Sequence, residues 1–250
     1  MNSDGRRAPG RPASATRDAY DKVAARYAER FADELRHKPL DRALLGAFSE
    51  LARRAGTGQP VQAGDAGQAS PAAPVPAAPV PATPVADIGC GPGHVTAYLA
   101  SLGLAAQGID MSPAMIDVAR SAYPGITFTV GEMPGLPFGE GGLAGALLFY
   151  SIIHLTPQQR AATFAELAGI LRPGGPMLVA FQIGDNEKLH VDSWFGEEVS
   201  LDGYRLSVRT VTDEITAAGL TVDATVSRAP YLETETMQRC YLLARKAWAG

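Results

Sequence analysis

Val85-Ala-Asp-Ile88 runs straight into Gly89-Cys-Gly-Pro-Gly93, and this junction limits the chain's folding choices more than any other feature. A short apolar run closed by three spaced glycines, then Val95, Tyr98, Leu99 and Leu102 on one helical face, reads as strand, tight turn and helix. Glycines at such a turn let a ligand come close to the backbone, beside the free amides of a helix N-terminus. The same alternation continues downstream. Apolar strands are expected over 85–88, 105–109, 126–130, 146–149 and 177–181, with helices between them, which is the pattern of a mainly parallel α/β sheet. Ser112 followed by Pro113 opens one helix, and Thr156-Pro-Gln-Gln159 is a capping box opening another that stops at Arg172-Pro-Gly-Gly175. Residues 210–218 read as a last helix, and 221–226 and 239–244 as closing strands.

Upstream, Tyr20, Val23, Tyr27, Phe31 and Leu35 form one helical stripe that Pro39 breaks. Leu44, Leu45, Phe48 and Leu51 form a second, ended by Gly56 and Gly58. The chain therefore divides into a tail over 1–15, an N-terminal helical segment over 16–58, a linker over 59–84 and a core over 85–250. The linker carries PAAPV twice and PATPV once, a density of proline that favours an extended spacer.

A 46% hydrophobic composition fits a packed domain, and a net charge of −4 argues against a dedicated nucleic-acid binder. No apolar run approaches the roughly 20 residues that cross a bilayer, and the first residues lack the apolar core of a secretory leader. Cys90 and Cys240 match neither a disulfide framework nor a zinc spacing. The expectation is a cytoplasmic protein, monomeric or homodimeric, that contacts neither membrane nor nucleic acid.

The dinucleotide fingerprint needs a third glycine at the sixth position from Gly89, where this chain has His94, so a nicotinamide oxidoreductase is disfavoured. Asp110 ends the second strand, where a carboxylate can accept both hydroxyls of a ribose; Ser112 is better placed than Asp110 to cap the next helix.

Asp87-Ile-Gly-Cys-Gly-Pro-Gly93, Gly108-Ile-Asp-Met-Ser-Pro113, Gly131-Glu-Met-Pro-Gly-Leu-Pro-Phe138 and Leu171-Arg-Pro-Gly-Gly175 stand in order. Together they resemble the motifs of class I S-adenosylmethionine-dependent methyltransferases, most nearly the small-molecule group often called methyltransferase type 11. Tyr20-Asp-Lys-Val-Ala-Ala-Arg-Tyr27 is similar to that group's N-terminal helix. The resemblance implies a Rossmann-like sandwich, a mostly parallel seven-stranded sheet with an antiparallel last strand and a lid of two N-terminal helices. It implies S-adenosylmethionine as cofactor. Asp87, Gly89, Cys90, Gly91 and Gly93 would cradle the methionine part, Asp110 would hold the ribose and Met111 would lie against the adenine. Glu132, where the group usually has Asp, would face the adenine amine beside the Met133 amide. Tyr20 and Tyr27 would close over the cofactor, with Tyr150 at the end of the fourth strand. Leu143-Ala144 replaces the frequent Phe-Asp before that strand, so no role is assigned there.

Methyl transfer requires the acceptor atom in line behind the methyl group, and a base only where the acceptor loses a proton. His154 follows the fourth strand on the ligand side of the sheet and is the candidate base; the competing reading is an anchor for the Thr156 helix. His94 reads as a cap or packing residue and His37 as a solvated one. The acceptor wall is expected in 182–204, where His190, Trp194, Phe195 and Tyr204 cluster in a chain only 7% aromatic. Asp185-Asn186 could suggest a magnesium site, but Tyr150-Ser151 stands where a second acid would be needed, so no metal is expected. The expected activity is O-methylation of a small organic molecule. N- or C-methylation and a non-catalytic cofactor-binding protein are the alternatives.

Overall fold

Four consecutive buried residues make β1 (Val85–Ile88) and five make β4 (Gly145–Phe149), the mark of strands covered on both faces. The computed structural model describes residues 12–58, 83–231 and 235–248. Most of the Pro/Ala repeat and most of the N-terminal tail lie outside them.

The main sheet has seven strands in the order β3-β2-β1-β4-β5-β9-β8. Its members besides β1 and β4 are β2 (Ala106–Asp110), β3 (Thr127–Val130), β5 (Pro176–Gln182), β8 (Leu220–Arg228) and β9 (Arg239–Lys246). Pairings β1–β2, β1–β4, β2–β3 and β4–β5 are parallel, and β9 runs antiparallel to both β5 and β8. Chain order reverses between β1 and β4, so their carboxyl ends flank a crevice suited to a ligand. This is the Rossmann-like α/β sandwich expected from the sequence.

One face of the sheet is covered by α5 (Pro157–Ile170) and α6 (Val208–Ala217), through Phe164, Leu167, Val211 and Ile215. The other is covered by α2 (Pro39–Thr57) and α3 (His94–Ser101), through Leu45, Phe48, Val95 and Leu99. A smaller cluster seats α4 (Pro113–Ala122) on β3 through Ile116, Ala119 and Phe128. The expected two-helix lid is therefore corrected. Only α1 (Pro12–Phe31), which begins before the expected Thr16, lies across the crevice; Leu45, Phe48 and Ala52 make α2 a layer of the sandwich.

The segment expected to be an irregular aromatic insert is a hairpin of β6 (Lys188–Trp194) and β7 (Glu197–Tyr204). Phe195 and Gly196 form its two-residue turn, with φ of 50° and 77°. Val199 and Leu201 pack under Ala19 and Val23 of α1, so lid and hairpin share a small core of their own.

Candidate cofactor and acceptor site

The glycine loop is held from below by β2, since Gly89 N and Cys90 N both donate to the Ile109 carbonyl, at 2.7 and 3.0 Å. Asp110 then fastens the loop to the next helix. Its Oδ2 accepts from Gly91 N at 2.8 Å and its Oδ1 from Ser112 N at 2.9 Å. Each carboxylate oxygen keeps acceptor capacity beyond that one bond. Burial raises the Asp110 carboxyl above the usual range, against the pull of those two amides.

Asp87, 1% exposed, accepts from Thr96 Oγ1 at 2.7 Å. Burial pushes its carboxyl up to about 6, with the Asp110 charge adding to the rise while Thr96 and His94 oppose it. Asp87, Gly89, Cys90, Gly91, Asp110, Met111, Glu132 and Met133 line one cavity of about 220 Å³. A Cβ on Gly91, at φ 53°, would stand 3.9 Å from the Tyr27 ring, in the space that a ligand on the loop would take. Gly93 is different and is corrected as a contact residue. It does not line the cavity, and a Cβ there would strike Phe128 at 2.7 Å, so this glycine permits close packing of β3 against the loop.

The lid supplies residues that the sequence did not single out. Asp21 Oδ1 accepts from Ser112 Oγ at 2.5 Å and from Ala114 N at 3.0 Å, a carboxylate set on the N-terminus of α4. Arg17 Nε donates to the Met111 carbonyl at 3.1 Å, and its guanidinium pairs with Glu132. Tyr20 and Tyr27 line the cavity. Trp194 does not; it braces them from behind, its ring centroid 5.4 Å from that of Tyr20 and 5.5 Å from that of Tyr27.

His154 lies in a short 3-10 turn after β4 and also lines the cavity. Its Nδ1 is 2.7 Å from the Asp202 carbonyl oxygen, which can only accept, so Nδ1 carries the proton. Nε2 is then the acceptor and Tyr20 OH, 2.8 Å away, the donor. Burial lowers the imidazole below its ordinary value, although the Asp202 bond works the other way, so the ring is neutral at pH 7. Burial, with Asp110 adding to it, raises the Tyr20 hydroxyl.

Tyr150 closes the other side, held at φ 61°, a strained value for a residue with a side chain. Its OH meets Tyr241 OH at 2.9 Å, and Tyr241 donates to Asp41 Oδ1 at 2.8 Å. His94 is more than a cap: it lines the cavity and its Nε2 bonds Glu34 Oε1 at 2.8 Å.

The expected acceptor wall is corrected: none of its four residues lines this cavity, Trp194 bracing it from behind and the other three lying elsewhere. His190 is exposed and paired with Asp202 at 2.7 Å and Asp192 at 3.0 Å. Tyr204 packs against the α5–α6 side of the core, and Phe195 reaches only an adjoining outer cavity. Asn186 spends its side chain on Thr210 Oγ1 and the Ser207 amide. Among the described residues no three His, Cys, Asp or Glu side chains converge on a metal-sized point, and no helix is long and apolar enough to cross a membrane.

A seven-stranded sheet with one antiparallel strand, a glycine loop after β1 and an acid ending β2 define a class I methyltransferase architecture. Comparison with known proteins points the same way. Residues 85–175 match the family model described as a methyltransferase domain, and this chain carries such a domain. The O-methyltransferase cnsE of Penicillium expansum is 34% identical over 109 residues, 41% of this chain and 39% of that protein. The chain spans less than half the length of the curated relatives it matches. Among solved structures, the 1,6-didemethyltoxoflavin-N1-methyltransferase of Burkholderia thailandensis aligns with a TM-score of 0.64 at 18% identity, covering 98% of this chain and 93% of that one. An S-adenosylmethionine-dependent methyltransferase of Methanosarcina mazei aligns with a TM-score of 0.60 at 18% identity, over 66% of this chain and 92% of its own.

Proposed function

We propose that this protein methylates a hydroxyl oxygen of a small organic molecule with S-adenosylmethionine. The observation that carries the reading is the chain of hydrogen bonds from Tyr20 OH through the neutral His154 ring to the Asp202 carbonyl, at the wall of the cavity that the glycine loop lines. The residues fit the cofactor. Asp110 has lone pairs to spare for two hydroxyls, the backbone at Gly91 is bare, and Asp87 offers a carboxylate for an ammonium group. When bound, S-adenosylmethionine supplies an electrophilic methyl group, so little covalent work falls to the protein.

The protein's own part is positioning and proton removal. As the acceptor oxygen loses its proton to Tyr20 Oη, the Tyr20 proton passes to His154 Nε2, and the Nδ1–H bond to Asp202 keeps the ring oriented. Tyr20 is too poor an acid to ionise by itself near neutrality, because burial raises its hydroxyl, so the neutral imidazole behind it is what makes the transfer workable. Tyr20, Tyr27 and Trp194 stack over this side and exclude water. That the cnsE relative is an O-methyltransferase agrees with oxygen as acceptor.

The test is transfer of labelled methyl from S-adenosylmethionine to small molecules of a cell extract, followed by identification of the labelled product. A methyl ether supports the reading. A product labelled on nitrogen or carbon, or none above background, overturns it.

A further inference from the structure

The cavity does not end at Tyr150. It continues into a second cavity of about 450 Å³, and the two share Phe31, Glu34, Lys38 and Arg239. The carboxylates around this passage already have cations. Glu34 takes Lys38 Nζ at 2.6 Å and His94 Nε2 at 2.8 Å. Glu235 takes Arg228 at 2.6 and 3.1 Å, the Tyr231 amide at 2.9 Å and Lys38 at 3.4 Å. Asp33, at the outer rim, faces Arg36 at 3.6 Å.

Arg239 is not matched in this way. Its Nη1 donates to the Met237 carbonyl at 2.9 Å and its Cζ lies 5.7 Å from the centre of the Tyr150 ring; among the described residues no carboxylate meets it. A guanidinium has five N–H donors in a fixed fork, so most of this one is unspent. Stacking on a ring that Tyr241 fixes from behind holds the fork ready. Arg30 at the rim lies 5.9 Å from the Phe31 ring, and among the described residues no carboxylate meets it either. Among the described residues the passage therefore carries positive charge that no carboxylate meets, inside walls made flat and apolar by Tyr20, Tyr27, Phe31 and Tyr150.

We infer that Arg239 anchors a carboxylate of the acceptor, and that the acceptor is a small aromatic hydroxy acid. The inference rests on the methyl-transfer reading above and narrows its substrate class. The acid is the anchor and not the methylated group, because a carboxylate oxygen has no proton to lose and would leave the Tyr20–His154 pair without a task. A ring between the aromatic walls carries its hydroxyl towards Tyr20 while its carboxylate faces the fork.

The experiment is calorimetric titration of the protein loaded with S-adenosylhomocysteine, using meta- and para-hydroxybenzoate and the matching hydroxybenzamides, at low and high salt. At least one acid binds about tenfold or more tightly than its amide, as a charge-assisted fork contact supplies, and salt narrows the gap. Arg239→Gln erases the preference and Arg239→Lys keeps part of it, while affinity for S-adenosylhomocysteine stays within about twofold. Acids that bind no better than amides, or not at all, overturn the inference. So does an Arg239→Gln protein that loses S-adenosylhomocysteine affinity to the same extent, since the guanidinium would then serve the cofactor's own carboxylate. Failure of S-adenosylhomocysteine to bind the unmodified protein is a separate result, which removes the methyl-transfer reading and this inference with it.

Discussion

Thr96→Val tests whether Asp87 meets the cofactor's ammonium group as a carboxylate. Thr96 is fully buried, valine has nearly its shape, and the change removes the one hydroxyl that donates to Asp87, at 2.7 Å. Hydrogen bonds to a charged group are worth about 1.5–3 kcal/mol, and one pH unit of titration is about 1.36 kcal/mol. The Asp87 midpoint, already raised by burial to about 6, should therefore climb by about 1–2 pH units. At pH 7 the wild-type carboxyl is roughly 90% ionised and the variant's roughly 10–50%. If the ammonium requires the charged form, affinity for S-adenosylhomocysteine falls about 2–10-fold at pH 7, and the two proteins agree near pH 9. Well below both midpoints they differ by about 10–100-fold. Stability follows a defined sign. A carboxyl whose folded value is raised binds extra protons in the folded state, so stability falls as pH rises from its ordinary 3.8 through about 6. The variant should extend that fall to higher pH. Calorimetric affinity and melting temperature across pH 5–9 make the test. An affinity loss equal at every pH would show that the hydroxyl acts through packing alone, and no loss at any pH would remove Asp87 from the cofactor site.

Asp110→Asn keeps one acceptor oxygen but puts an NH₂ against the Gly91 or Ser112 amide, so S-adenosylhomocysteine affinity should fall about tenfold or more and the melting temperature should drop with it; a folded variant with unchanged affinity refutes the ribose assignment. His154→Asn can still donate towards Asp202 but offers Tyr20 no ring nitrogen, so turnover should fall about 10²–10⁴-fold with cofactor affinity little changed. Because burial depresses His154, wild-type turnover should decline only as pH falls below the ordinary imidazole value near 6.5, and the variant should lack that limb; the same limb in both proteins rules His154 out as the base. Asp21→Asn removes a carboxylate from the α4 N-terminus, costing the closed lid about 1 kcal/mol. It should speed S-adenosylhomocysteine dissociation several-fold in stopped flow, and an unchanged rate would show that α1 does not gate exit.

Local chemistry made the sandwich legible. The capping box at Thr156, with Gln159 reciprocating, starts α5 where the sequence placed it, and β4 announces double-sided burial by being apolar throughout, as β1 does but for Asp87. Asp110 and the glycine loop were readable because strand, turn and helix each carry their own signal. The hairpin was not. β6 is mostly exposed, so its alternation is faint, and a Phe-Gly turn lacks the asparagine or aspartate that usually marks two residues with positive φ. α2 has the apolar stripe of any amphipathic helix, and nothing in the stripe says whether it faces a sheet or a ligand. Arg17, His94 and Arg239 acquire their roles from partners 60–115 residues away, and pairs at that separation leave no pattern in one sequence.

The position of His154 follows from the way this chain builds its lid. α1 is too polar to settle on the crevice by burial alone, and it is held by a separate core shared with β7, in which Ala19 and Val23 meet Val199 and Leu201. Polar ties run alongside: Lys22 to the Glu198 carbonyl at 2.7 Å and Arg26 to Glu197 at 2.8 Å on the hairpin side, and Asp21 to α4 on the cofactor side. His154 joins the sheet to both parts of that assembly, since one ring nitrogen faces Tyr20 of α1 and the other Asp202 of β7. The Tyr20–His154 contact spans lid and sheet, so lifting the lid would break the proposed proton route as it admits water. On the proton route proposed above, proton removal would be restricted to the closed state, in which water is excluded and the acceptor is held.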